Sequence, residues 1–227
     1  MDFVRSLLVL AAPAEFAAAR AAFALSASPP LWSPINARPG VDIVQSGVGK
    51  ANAAACVAWC LARERYQRVV SVGIAGALPG SGLALGDVVV ASASTYADEG
   101  VATPDGFLDM ASLGFGPGAN PLGPSIGLGM SVNCDHRPAI AGARSGVIAT
   151  VSTCSGSDGL AAEVTRRTGA IAEAMEGAAV GFTATRLGSG FGELRVISNS
   201  TGSRASQRWD LQGALQRLAG VIQSPDV

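Results

Sequence analysis

Short apolar runs alternate with longer alanine-rich runs along nearly the whole chain, and this alternation constrains the fold more than any other feature. "FVRSLLVL" (3–10), "VDIVQSG" (41–47), "RVVSVGIAGAL" (68–78), "GDVVVASAS" (86–94), "SGVIATVST" (145–153) and "LRVISN" (194–199) read as strands. Between them, "AEFAAARAAFAL" (14–25), the second half of "SGVGKANAAACVAWCLARE" (46–64), "GLAAEVTRRTG" (159–169), "IAEAMEGAAVGFTATRLG" (171–188) and "WDLQGALQRLAGVIQ" (209–223) read as helices. Gly169 closes one of these helices, and the last is expected to be capped near Ser206. Strands apolar on both faces, separated by helices, predict a mostly parallel central sheet flanked by helices. With no internal repeat and no linker, residues 1–227 are expected to form one α/β domain. Residues 101–139, rich in Gly and Pro, read as a long surface excursion with Tyr96, Asp98 and Glu99 at its root.

Composition narrows the function. Only 15% of residues are charged and 48% are hydrophobic, enough to build a substantial core. The formal net charge of -1 supplies no bulk attraction for nucleic acid or acidic membranes, and 5% aromatics is poor for base stacking on single strands. Four cysteines (Cys56, Cys60, Cys134, Cys154) without paired zinc spacing, and the single His136, predict no metal site and reduced thiols. The N-terminal "RSLLVLAAPAEFAAA" has the outline of a signal peptide. Its single Arg5 is offset by Asp2 and its apolar core is short, so a first buried strand and a cytoplasmic protein are expected. No run reaches the ~20 apolar residues of a membrane span.

In sheets of this kind ligands bind beyond the carboxyl ends of the strands. The polar groups expected there are Glu15, the "SGVGK" loop with Ser46 and Lys50, the backbone of Ala75 and Gly76, the Met175-Glu176 pair on a late helix, and Ser198-Asn199. Each has a plain alternative. "SGVGK" lacks the spacing of a triphosphate-binding loop, and its glycines serve helix packing as well as ligand approach. Glu15 is equally suited to starting a helix, where a carboxylate complements the macrodipole. Glu173 and Glu176 lie three apart on what reads as a helix, so one can face solvent, whereas a buried one requires a partner. Arg204 and Trp209 fit a loop anchor and a core residue, and Ser198-Asn199 a simple strand end.

The order of four segments is more specific than any one of them. "SGVGKANAA", "VGIAGALPGSGLALGDVVVAS", "AEAMEGAAV" and "RVISN" together resemble the purine nucleoside phosphorylase and nucleosidase superfamily, over most of the chain and weakest across 101–145. Within it, "EAMEG" with "ISNSTGSRASQRWD" is most similar to the futalosine hydrolases. The resemblance implies a nucleoside phosphorylase-like fold, no cofactor, a small nucleoside substrate and a homo-oligomer. It also implies cleavage of an N-glycosidic bond. Glu15 would be the general base on water, Asn199 with Ser198 would bind the leaving base, and Glu176 with Met175 the ribose. Ala75 and Gly76 would line the base pocket, and Ser46 and Arg204 would contact substrate. Related methylthioadenosine/S-adenosylhomocysteine nucleosidases carry an acid where this chain has Ala174 and an aspartate where it has Asn199. An amide donates to the O6 and N7 acceptors of a 6-oxopurine, which favours hypoxanthine over adenine as leaving base. A nucleosidase for another purine, a phosphorylase and a non-catalytic nucleoside-binding protein are the alternatives; retention of Glu15 and Glu176 weighs against the last.

Overall fold

The computed structural model describes residues 4–115 and 131–227. Eleven strands and five α-helices follow in chain order among these residues: β1 (Ser6–Leu10), α1 (Pro13–Ala22), β2 (Ile35–Arg38), β3 (Val41–Gln45), α2 (Lys50–Leu61), β4 (Arg68–Ala77), β5 (Val88–Tyr96), β6 (Gly100–Thr103), β7 (Gly106–Asp109), β8 (Ser131–Asn133), β9 (Arg144–Thr150), α3 (Asp158–Thr168), β10 (Ala172–Ala174), α4 (Gly177–Arg186), β11 (Gly190–Ser200) and α5 (Leu211–Val221). All six expected strands are present, each with bounds shifted by one to four residues. The central sheet runs β10-β9-β5-β11-β4-β1-β3-β2, with β8 added on β5. β10 pairs with β4 as well as with β9, so β10, β9, β5, β11 and β4 close into a barrel.

The sheet is mixed, which corrects the expectation of a mostly parallel one. β1 is parallel to β3 and β4, β11 to β4, and β9 to β5 and β10, but β11–β5, β10–β4, β2–β3 and β5–β8 are antiparallel. Burial on both faces, by helices outside and barrel closure inside, makes a strand apolar throughout whichever way its neighbour runs. Hydropathy therefore carries no directional signal here.

Two apolar layers cover the sheet. α2 and α4 bury Ala53, Cys56, Val57, Cys60, Ala179, Val180 and Ala184 against one side. α1 and α5 bury Phe16, Ala19, Ala214, Leu218 and Val221 on the other. The free thiols of Cys56, Cys60 and Cys134 are buried and Cys154 is exposed. No helix among the described residues is long and apolar enough to cross a membrane.

Two local expectations are corrected. Residues 171–188 are not one helix: Ala172–Ala174 is a strand, Met175-Glu176 a bend, and the helix begins at Gly177. The Ala, Glu and Met of this segment favour helix, yet pairing with β9 and β4 overrides that preference. The last helix is capped by Asp210, whose Oδ1 accepts from Gly213 N at 2.8 Å, and not near Ser206. Of the 101–139 excursion, β6 and β7 form a hairpin and β8 joins the sheet; residues 116–130 lie outside the described residues.

Candidate active site

A cleft of about 210 Å³ opens where β1, β4, β10 and β11 end, lined by Ala11, Ala12, Glu15, Val48, Ile74–Gly76, Cys154, Glu173–Glu176, Ser198, Asn199 and Trp209. Seven of the nine site residues that the resemblance implies thus line one cleft: Glu15, Ala75, Gly76, Met175, Glu176, Ser198 and Asn199. Ser46 and Arg204 do not line it. The Ser46 hydroxyl is fully buried and donates to Gly47 O at 2.9 Å, while its carbonyl accepts from Trp32 Nε1 at 2.7 Å.

Asn199 owes its position to a β-bulge. β11 follows β4 in register up to Ile197 opposite Ala75, then skips Ser198 so that Asn199 stands opposite Gly76. Such an extra residue re-aims the side chains beside it. The Ser198 hydroxyl lies 2.9 Å from Asn199 Oδ1, and Asn199 Nδ2 donates to Ser200 O at 3.0 Å. With Oδ1 engaged by Ser198, the group Asn199 has left for a ligand is the second Nδ2 proton, a donor. One donor is fewer than the two the sequence suggested, because the backbone takes the other.

Glu15 sits at the third position of α1, where it starts the helix and also lines the cleft. Its Oε2 accepts from Ala12 N at 2.8 Å and Ala11 N at 3.1 Å, closing the helix start, and its Oε1 accepts from Ile74 N at 2.9 Å on β4. Three of about four acceptor positions are filled by backbone N–H groups, which leaves one. The carboxylate is buried, yet it reaches the cleft wall.

Glu176 directly precedes α4 without capping it through its side chain; its Oε1 instead accepts from Gly49 N at 2.9 Å, tying the end of β10 to the glycine loop before α2. Burial pushes its carboxyl above the usual carboxylate range, while Arg195 and the Gly49 N–H pull it back. Arg195, fully buried, is the functional residue that sequence reading missed: "LRVI" passes for an apolar run. Its Nε donates to Glu193 Oε1 at 2.8 Å, one Nη2 contact is to Ser71 Oγ at 2.7 Å, and Nη2 lies 3.7 Å from Glu176 Oε2. Glu193 in turn accepts from Ser94 Oγ. The signal was an arginine two residues after a glutamate inside a strand, a spacing that puts both on one face, here the barrel interior. Gly73 leaves room for this cluster, since a Cβ there would collide with Glu15 Oε1 and Arg195 Nη1.

The rim is different in character. Trp209 is half exposed, not a core residue, and the Arg204 guanidinium lies 5.2 Å from its ring centroid. Arg204 makes a long contact of 3.4 Å to Gln207 Oε1. Val48, which also lines the cleft, is exposed, and Lys50, two residues on, is occupied by Asp98 and Glu99.

A five-stranded closed barrel with helices on both sides, and a cleft pairing buried acids with an amide at the strand ends, defines an α/β protein of nucleoside phosphorylase type. The sequence pattern of the Phosphorylase superfamily matches residues 37–224. The methylthioadenosine/S-adenosylhomocysteine nucleosidase of Neisseria meningitidis, solved with methylthio-immucillin-A, has the same fold, with a TM-score of 0.73 at 21% identity over 96% of either chain. The chain is 41% identical over 181 residues to a futalosine hydrolase of Acidothermus cellulolyticus, covering 78% of this chain and 71% of that one. It is 37% identical over 190 residues to a futalosine hydrolase of Streptomyces coelicolor, covering 81% and 77%. The chain belongs to the futalosine hydrolase family of the phosphorylase superfamily.

Proposed function

We propose that this protein hydrolyses the N-glycosidic bond of futalosine, releasing hypoxanthine and dehypoxanthine futalosine, a step of the futalosine route to menaquinone. The observation that carries the proposal is the donor left free on Asn199, in the same cleft as two buried carboxylates that suit a sugar hydroxyl and a water. In the reaction, water adds to C1′ as the C1′–N9 bond breaks, and the bonding electron pair stays on the purine. Asn199 stabilises that charge at the N7/O6 edge. Glu15 takes the proton from water with its one unfilled acceptor position, and the purine takes up a proton from solvent. Glu176 accepts from a ribose hydroxyl, a charge-assisted bond that orients the sugar, and Met175 packs on its face.

Water is the nucleophile because phosphate would need free cations. Among the described residues, Arg195 is held by Glu193 and Glu176 and Lys50 by Asp98 and Glu99, and Arg204 on the rim does not line the cleft. The test is to incubate the protein with futalosine, inosine and methylthioadenosine, with and without phosphate, and to quantify released base. Phosphate-independent hypoxanthine release from futalosine is the expected result. Adenine release from methylthioadenosine, or strict dependence on phosphate, would sink the proposal.

The cleft is smaller than the ~300–1,000 Å³ sites that bury a whole drug-sized ligand, so the benzoate-bearing arm of futalosine would lie over the rim. Arg204 stacked on Trp209 offers a cation and an aromatic face to a benzoate. Arg204→Ala is therefore expected to raise KM for futalosine about tenfold, the scale of one hydrogen bond to a charged group, and to leave inosine kinetics unchanged. We further propose one domain over residues 1–227 acting as a homo-oligomer, a proposal supported by the exposed Leu31, Val48 and Trp59.

A further inference from the structure

Glu173 is a buried acid in the cleft to which neither the mechanism nor the resemblance gives work. It occupies the middle of β10, directly across from Gly76 of β4. Gly76 also abuts Asn199: a Cβ on that glycine would lie 3.1 Å from Asn199 Nδ2. Glu173 and Asn199 thus flank one glycine, and both line the cleft. Glu173 is only 5% exposed, and among the described residues no cation forms an ion pair with it. Its Oε1 accepts from Ser155 N at 2.8 Å and its Oε2 from Ser155 Oγ at 2.7 Å, so about two of its four acceptor positions are unused. As a tether for the Ser155 loop a glutamine would serve equally well, with its amide oxygen on the N–H and its NH2 on the hydroxyl. The carboxylate supplies something a tether does not need: an acceptor-only group facing the cleft.

We propose that Glu173 accepts the N1–H of a 6-oxopurine and, with the one free N–H of Asn199 donating at the O6/N7 edge, sets the choice of leaving base. The proposal rests on the nucleoside hydrolase function stated above and deepens it. In hypoxanthine the edge atoms run N7, O6, N1: two acceptors, then a donor. The cleft presents the two ends of that pattern in the same order, the Asn199 amide donor and the Glu173 carboxylate acceptor, with Gly76 between them. Adenine reverses the last two groups, so its 6-amino group meets the amide donor and its N1 lone pair meets the carboxylate. Both contacts are unfavourable in a buried site, where an unmatched polar pair is costly. Burial raises the tendency of this carboxyl to hold a proton, and the two Ser155 bonds oppose that.

The test is calorimetric titration of wild type and Glu173→Gln with hypoxanthine, 1-methylhypoxanthine and adenine, alongside melting curves. Wild type is expected to bind hypoxanthine about tenfold or more tightly than 1-methylhypoxanthine or adenine, the scale of one matched polar contact. The isosteric Glu173→Gln should retain the fold and lose most of that gap. Its kcat/KM ratio for futalosine over the 6-amino counterpart should fall by a similar factor. A gap that persists unchanged in Glu173→Gln would mean that 1-methylhypoxanthine is excluded by bulk alone, and would overturn the proposal. Equal binding of hypoxanthine and 1-methylhypoxanthine by wild type would overturn it without any variant. Both results leave hypoxanthine release from futalosine standing, whereas failure of wild type to bind or release any purine would remove the two together.

Discussion

Asn199→Ala is expected to lower kcat/KM for futalosine by about 10²–10³-fold, the loss seen when one preorganised donor to a developing anion is removed. The effect belongs to the transition state because hypoxanthine gains negative charge at its N7/O6 edge as the C1′–N9 bond breaks, so most of the loss should appear in kcat. Stability should change little. The side chain gives up its bonds to Ser200 O and Ser198, a net contribution of about 1 kcal/mol each. Asn199→Asp is a sharper variant. At neutral pH an aspartate has no proton to donate and faces Ser200 O, so it should be no better than alanine on futalosine. A variant that keeps more than a third of wild-type kcat/KM would show that the amide is a spectator.

The second large effect is on folding. Arg195→Leu strands the carboxylates of Glu193 and Glu176 inside the barrel, and removing one partner of a buried ion pair typically costs about 3–5 kcal/mol. At about 2–4 °C per kcal/mol for a chain of this size, the melting temperature should fall by ~6–20 °C. Glu193→Gln in the same background should recover part of the loss, since one stranded charge is then neutral. The surviving folded fraction should also have a lower kcat, because Arg195 lies beside Glu176. Were the melting temperature of Arg195→Leu equal to that of wild type, the barrel interior would have to admit water to both acids. In that case the ion-pair account of this interior would fail.

Such a cluster explains why part of the site was invisible beforehand. The sequence patterns that succeed are local: a glycine-rich strand end, a Met-Glu pair, an asparagine closing an apolar run. Each marks a place where the backbone must end a strand, and strand ends gather at one edge of an α/β fold. Arg195 carries no such mark. It lies between leucine and valine in a strand, and only barrel closure, which brings Glu176 to it across the interior, shows that its charge is paired. Glu173 was legible as an acid but not as part of the cleft, because its helical spacing to Glu176 suggested a shared helix where the chain builds a strand and a bend.

By itself the sequence determined the alternation of strands and helices, the apolar faces that bury α1, α2, α4 and α5, and the membership of Glu15, Glu176, Ser198 and Asn199 in one cleft. These follow from periodicity and from the chemistry of strand ends, which act over a few residues. Tertiary structure alone decided strand direction, closure of the barrel through the three-residue β10, the bulge that skips Ser198, and the burial of Arg195 among acids. The physical reason is that pairing and register are contests between segments far apart in the chain. A strand buried on both faces looks the same to its own residues whichever neighbour wins.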